Sequence, residues 1–169
     1  VRSEDAPASE AYDRFRNRLI FPIWDAQGRV IGFSGRVLAE SDSGGAKYVN
    51  SPETPLFTKS RVLYGLHKAR RPIVDTRQAI ICEGQLDVIR CHAAGLTTAV
   101  AAQGTAFTEH HARIVKRYAD SVVIAFDSDP AGRSSAIKAA GIFLNSGLAV
   151  RIADLPREAD PDSLIREHG

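Results

Sequence analysis

Six carboxylates sit at or just after apolar, strand-like runs: Glu83 with Asp87, Asp127 with Asp129, and Asp160 with Asp162. Acid clusters placed that way suit divalent metal ions acting on phosphates. Carboxylates without histidine or thiolate partners fit Mg2+ or Mn2+ better than zinc, because these hard cations favour oxygen ligands and retain waters. The histidines, including His110-His111, show no metal-ligand spacing and read as surface or packing residues. Cys82 and Cys91 match neither a redox pair nor a zinc site, and in apolar surroundings they read as buried, reduced thiols. A plainer role as helix cap or loop solvation suits Asp129 and Asp162 singly rather than all six acids together.

The elements that must position these acids follow from the apolar pattern. Ala79-Ile80-Ile81-Cys82 ends abruptly in Glu83-Gly84, which reads as a buried strand delivering Glu83 to a sheet edge. Val122 to Phe126 leads into Asp127-Ser128-Asp129-Pro130-Ala131-Gly132 and then an Ala-rich helix, with Asp129 as N-cap and Pro130 in the first turn. The third group follows Ala149 to Ala153 and Leu155-Pro156, and opens a final helix near Ser163. The pattern predicts strand 79–82, helix 85–94, strand 97–101, helix 108–118, strand 121–126, helix 131–145, strand 148–153 and helix 162–167. That alternation argues an α/β fold, a mostly parallel Rossmann-like sheet flanked by crossover helices. Ligands gather outside the carboxyl ends of such strands, so the acids are expected to converge on one crevice.

Upstream, Leu19 to Trp24 and Arg29 to Val37 flank Asp25-Ala26-Gln27-Gly28, a hairpin with a glycine-bearing turn. Residues 38–60, with Gly44-Gly45 and two prolines, look irregular, and residues 1–10 are polar and small enough for a flexible terminus. The expected division is therefore a flexible terminus at 1–10, a small basic α+β subdomain at 11–78 and the α/β domain at 79–169. Residues 1–78 hold 13 Lys/Arg against 9 Asp/Glu, whereas residues 79–169 hold 9 against 11. A basic half beside an acidic metal site is the layout that steers a phosphate chain toward cations.

The 169 residues, 44% apolar, can bury one good core. No apolar run approaches the roughly 20 residues of a membrane span and no basic-plus-apolar leader stands at the start, so no membrane contact and a cytoplasmic location are expected. The sequence lacks G-x-x-x-x-G-K-[ST], G-x-G-x-x-G and G-x-S-x-G, which argues against P-loop NTPases, dinucleotide-binding Rossmann domains and nucleophile-elbow hydrolases.

E-G-x-x-D at 83–87, a glycine-bearing loop, then D-x-D at 127–129 on this strand-helix alternation resembles the TOPRIM domain. A narrower resemblance, to the DnaG-type bacterial primases, is carried by Tyr12 to Ile23, Gly28 to Arg36, Lys47-Tyr48-Val49-Asn50-Ser51-Pro52-Glu53-Thr54 and Leu63 to Leu66. It continues through Glu83 to Ile89, Gln103-Gly104-Thr105, Asp127 to Gly132 and Leu155 to Leu164. It runs from about residue 11 to the end, and the Lys47–Thr54 block is its most specific part.

The resemblance implies a nucleotidyltransferase that makes short RNA primers from NTPs on single-stranded DNA for replication in bacterial cytoplasm. Replicative helicase and single-strand-binding protein would be met through the full-length protein. It implies two or more cations, typically ~3.5–4 Å apart in such sites. Glu83, Asp127 and Asp129 match the family's principal catalytic acids and metal ligands, with Asp87, Asp160 and Asp162 completing the cluster. Glu83 is open to a second role as proton acceptor. Arg36, Lys47, Tyr48, Asn50 and Lys59 match the family's strip for template and nucleotide. Gly104 and Thr105 are a further candidate phosphate contact, with a tight strand-to-helix turn as the plainer reading.

Two positions depart from the family. Gln85-Leu86 stand where Tyr-Met is common, and Ser128 stands where glycine is usual, which restricts that loop if positive φ is required there. Full-length members carry a zinc-binding N-terminal domain, more catalytic core and a helicase-binding region without counterparts here, so zinc belongs only to that missing domain and a lone TOPRIM-centred fragment is expected to be weakly active or inactive. A TOPRIM topoisomerase, a TOPRIM nuclease and a non-catalytic DNA-binding TOPRIM module are the alternatives.

Overall fold

The computed structural model describes residues 13–38, 46–156 and 160–168, apart from the side chains of Asp162 and His168. The expected flexible terminus at 1–10 and the Asp162 carboxylate lie outside the described residues.

The chain opens with an antiparallel hairpin, β1 (Arg18–Trp24) and β2 (Val30–Val37), in register from Arg18 opposite Val37 to Ile23 opposite Gly32, after which a shift sets Trp24 opposite Val30. The expected turn closes it: the Asp25 carboxylate accepts the backbone N–H groups of Gln27 and Arg29 at 3.0 and 2.9 Å. Residues 48–50 correct the expectation of an irregular 38–60. They form a third strand, β3 (Tyr48–Asn50), paired antiparallel with β2, Ser34 opposite Asn50 and Arg36 opposite Tyr48.

The second sheet has five strands in the order β4-β6-β5-β7-β8. They are β4 (Leu63–Tyr64), β5 (Gln78–Cys82), β6 (Ala99–Ala102), β7 (Ser121–Ala125) and β8 (Ala149–Ile152). All are parallel except β4, which runs antiparallel to β6. The helices are α1 (Leu66–Thr76), α2 (Gln85–Ala93), α3 (Glu109–Lys116), α4 (Pro130–Asn145) and α5 (Pro161–His168). Every strand and helix expected from residue 79 onward is present, with ends shifted by a residue or two. Upstream, β4 and α1 extend the second sheet to residue 63, across the expected boundary at 78/79.

The core lies between this sheet and its helices. Ile81, Val100, Val122 and Ile124 are fully buried on the strands, and Ile73, Val115 and Phe143 cover them from helices α1, α3 and α4. Phe107 joins the cluster against both Phe126 and Phe143, ring centroids 6.0 and 5.5 Å away. Cys82 and Cys91 are buried and free, as expected, with sulfurs 3.9 Å apart in a smaller cluster that Ile165 of α5 joins. That contact docks α5 beside α2.

The two sheets are tied directly. The Trp24 indole stacks on the His67 ring at 5.2 Å, and Phe57, fully buried, fills the space behind β2. The turn at Lys59–Arg61 is held to α3 by two bonds, from Thr108 Oγ1 to the Ser60 carbonyl and from His111 Nε2 to the Lys59 carbonyl, both 2.9 Å. His111 is therefore a packing residue, as expected, and its N–H sits on Nε2 because Nδ1 accepts the Thr108 N–H.

Candidate active site

Because β5, β6 and β7 are parallel, Glu83, Gln103 and Asp127 all emerge near the carboxyl edge of the sheet, Glu83 and Gln103 immediately after their strands and Asp127 one residue later. On the facing sheet, pleating points Ser34 and Arg36 of β2 and Tyr48 and Asn50 of β3 to one side, since alternate residues share a face and these pairs lie opposite one another. The two surfaces enclose a crevice of about 460 Å³. Its walls carry Arg36, Lys47, Tyr48 and Asn50 on one side and Glu83, Asp87, Asp127 and Asp160 on the other, with Gly104 between.

Each acid is held by its own local chemistry. Asp87, in the first turn of α2, accepts the Gly84 N–H through Oδ2 at 3.0 Å. Asp160 accepts the Ser163 N–H at 2.6 Å and so caps α5, which carries it to the crevice. Asp127 depends on the glycine five residues later: a Cβ on Gly132 would run into the Asp127 backbone, so only glycine lets α4 start this close to the acid. Ser128 does not strain this loop, because among the described residues only Asn17 and Arg77 have positive φ outside glycine.

Glu83 and Asp127 repel one another. Partial burial, then the Asp127 charge, raises Glu83 above its ordinary value, partly offset by a hydrogen bond from the Asp127 backbone. Partial burial, then Asp160 and Asp129, raises Asp127, with Lys47 pulling the other way. Carboxylates crowded beyond what nearby cations neutralise are the electrostatic complement of an added cation. The donor set fits a hard divalent ion, being oxygen throughout, although among the described residues no three acid, histidine or cysteine side chains stand ready-clustered as ligands.

Of the residues singled out from sequence, nine line the crevice: Arg36, Lys47, Tyr48, Asn50, Glu83, Asp87, Gly104, Asp127 and Asp160. Asp129 is not among them. Its carboxylate caps α4, accepting the Gly132 N–H at 2.6 Å, while its charge is felt by both Glu83 and Asp127. Lys59 sits in the turn against α3, its N–H donating to Glu53 Oε1 at 3.1 Å, and with Thr105 it is absent from the crevice lining. Tyr48 carries the Arg36 guanidinium over its ring at 5.8 Å.

Gly104 has φ of +65°, a conformation that favours glycine, and the end of the Asn50 side chain lies where a Cβ would stand. Sequence reasoning gave no role to Ser34, Gln85 and Gln103, which also line the crevice. They are uncharged and outside any ligand spacing: Ser34 and Gln103 stand inside motifs that carry the resemblance, and Gln85 is the departure from Tyr, but none of this marks them as site residues.

A family model described as DNA primase catalytic core, N-terminal domain, matches residues 2–70, and one described as Toprim-like matches residues 80–165. The DNA primase of Clostridium acetobutylicum is 46% identical over 159 residues, 94% of this chain and 26% of that protein. The chain thus spans about a quarter of the length of the curated relatives it matches. The crystal structure of the Aquifex aeolicus primase, comprising zinc-binding and RNA polymerase domains, aligns with a TM-score of 0.91 at 37% identity, over 97% of this chain and 40% of that one. A structure of the DnaG primase catalytic domain bound to single-stranded DNA aligns at 0.82 and 42% identity, over 94% and 51%.

Proposed function

The chain belongs to the Toprim-like family, joined to the N-terminal domain of a DNA primase catalytic core, and from that premise we propose that it forms the nucleotidyl-transfer site of a primase. The reaction is template-directed joining of NTPs into a short RNA primer on single-stranded DNA, at the bacterial replication fork. The observation that carries this reading is the facing of an acid-lined sheet edge and a basic strand face across one crevice. A nucleotide's phosphates are drawn directly by the basic wall, and the acidic wall suits them only through divalent cations held between.

The acids that would hold divalent cations are Glu83, Asp127 and Asp160, with Asp87 beside them and Asp129 acting through its charge. When bound, Mg2+ or Mn2+ supplies activation of a primer hydroxyl and charge neutralisation on the departing pyrophosphate. Lys47 and Arg36 attract and orient the phosphate chain, lysine as a mobile point charge and arginine as a planar fork. The Arg36 guanidinium carbon lies over the Tyr48 ring, 5.8 Å from its centroid, so the ring helps to position the fork. Glu83, raised above its ordinary value, is also placed to take a proton from an attacking hydroxyl.

The test is primer synthesis by the full-length protein on single-stranded DNA with NTPs and Mg2+. Labelled oligoribonucleotides that vanish in Asp127→Ala are the expected result. Cleavage of the DNA or RNA in the absence of NTPs, with no primer made, would replace this reading by a TOPRIM nuclease.

A further inference from the structure

Resting on the nucleotide-binding reading of the crevice, we infer that Gln85 and Gln103 form a specificity-determining pair that hydrogen-bonds a donor-and-acceptor group of the bound nucleotide. Gln103 Nε2 donates to Gln85 Oε1 at 2.9 Å and, more weakly, to Asn50 Oδ1 at 3.4 Å. That leaves Gln85 Nε2 and Gln103 Oε1 with no partner, although the two residues are only 6% and 3% exposed. Ser34 Oγ, 1% exposed, is a third orphan. Buried polar groups without partners are rare in folded proteins. Of the four such atoms among the described residues, three line this one crevice, the other being His67 Nδ1.

The pair is fixed from both sides. Gln85 opens α2 and Gln103 directly follows β6, so two hydrogen-bonded elements set where the amides start. Flipping both amides would exchange the atoms but still leave one orphan donor and one orphan acceptor. A group that accepts from one and donates to the other completes the set, and charge plays no part in it. Phosphate, which only accepts at neutral pH, does not. Two parts of a nucleotide carry such a group: a sugar hydroxyl, which does both through one oxygen, and the amide-like edge of a base. A ligand lacking it would strand two buried polar atoms, and a site built to hydrogen-bond a group rejects the analogue without it far more strongly than an apolar pocket does.

The experiment is calorimetric binding of Mg2+-NTPs and their 2′-deoxy and 3′-deoxy analogues to the full-length protein and to its Gln103→Leu and Gln85→Glu variants, which keep side-chain size. In the unmutated protein, loss of the recognised group should weaken binding about tenfold, and Gln103→Leu should weaken the intact NTP by a similar factor. The same deletion should cost less than about twofold in Gln103→Leu, because the two changes remove one interaction. Coupling to a deoxy analogue identifies the sugar, and coupling to one base among the four NTPs identifies the base edge; either supports the inference. Equal binding of every analogue and base by the unmutated protein overturns it, and that arm needs no variant to fold. Losses that simply add in the variants also overturn it while leaving the primase reading intact. A protein that binds no NTP at all would overturn both.

Discussion

Asp127 shows how a single charge can be costly to the fold and needed by the site. Its carboxyl is raised by partial burial and by Asp160 and Asp129, and Glu83 is raised by partial burial and by Asp127. An acid raised in the folded state favours folding below its unfolded value, here 3.8 for Asp127, and that contribution is lost as pH rises through the folded value. At neutral pH the cation-free protein therefore bears the repulsion, and a bound divalent ion removes it. We expect Asp127→Asn to melt about 1–2 °C higher than the parent without cations, since a half-exposed like-charge contact is worth roughly 0.5 kcal/mol after screening. The variant should gain nothing from Mn2+, whereas the parent should gain progressively less as pH falls; melts with and without Mn2+ across pH check both. Glu83 and Asp127 were legible in the sequence because an acid closing an apolar β-branched run is a pattern that burial alone does not make. The amides of Gln85 and Gln103 were not, because a neutral side chain in a strand-to-helix turn looks the same whether it faces solvent or a crevice.

At the scale of an element, α4 separates two roles of one acid. Asp129 caps the helix through Gly132 N–H, and its charge also reaches Glu83 and Asp127. Asp129→Asn keeps a capping oxygen and Asp129→Ala does not, so only the alanine variant should lose stability, by about 1 kcal/mol in urea titration. Both should weaken Mn2+ binding by a similar factor if the charge acts on the site. The turn at Lys59–Arg61 depends in the same way on α3. His111 is buried, its pKa lowered chiefly by that burial, and it donates from Nε2 to the Lys59 carbonyl as a neutral ring. Its contribution is present above its ordinary value of 6.5 and lost as pH falls through the lower folded value, so stability should decline from pH 7 toward pH 5. His111→Gln should flatten that slope and leave the share of His67, whose ring is also lowered by burial, as urea midpoints at successive pH values would show. The alternating elements after residue 79 were readable because long apolar runs and turn residues punctuate them. Three others were not: β3 has three residues, β4 has two, and α1 carries Pro72 after Arg70-Arg71, which breaks the helical pattern in sequence though not in the fold.

For the whole molecule, what matters is that one sheet supplies cations and the other supplies acids, so the charge asymmetry of the sequence becomes a potential across one crevice. In the sequence Lys59 has the same standing as Arg36 and Lys47, because all three match the strip that the resemblance assigns to template and nucleotide, and a motif match does not say which side a residue faces. The fold separates them: Arg36 and Lys47 line the crevice, and Lys59 turns with its segment toward α3. Counterion release makes that difference measurable, since each single-strand phosphate neutralised contributes about −0.7 to the slope of log K against log salt. On a single-stranded oligonucleotide, Arg36→Ala and Lys47→Ala should each flatten the slope by about 0.7, and the double variant by about 1.4. Lys59→Ala should leave it unchanged. Slope is the right reading here because Arg36 also packs on Tyr48, and losing that contact lowers affinity at every salt concentration without altering the count of phosphates. Lys47→Ala has a second signature: Lys47 holds Asp127 down, so its removal should move the pH midpoint of Mn2+ binding upward, which Arg36→Ala should not do. A slope that flattens with Lys59→Ala and not with the other two would put the nucleic acid on the α3 side of the molecule, leaving the basic wall of the crevice to the nucleotide alone.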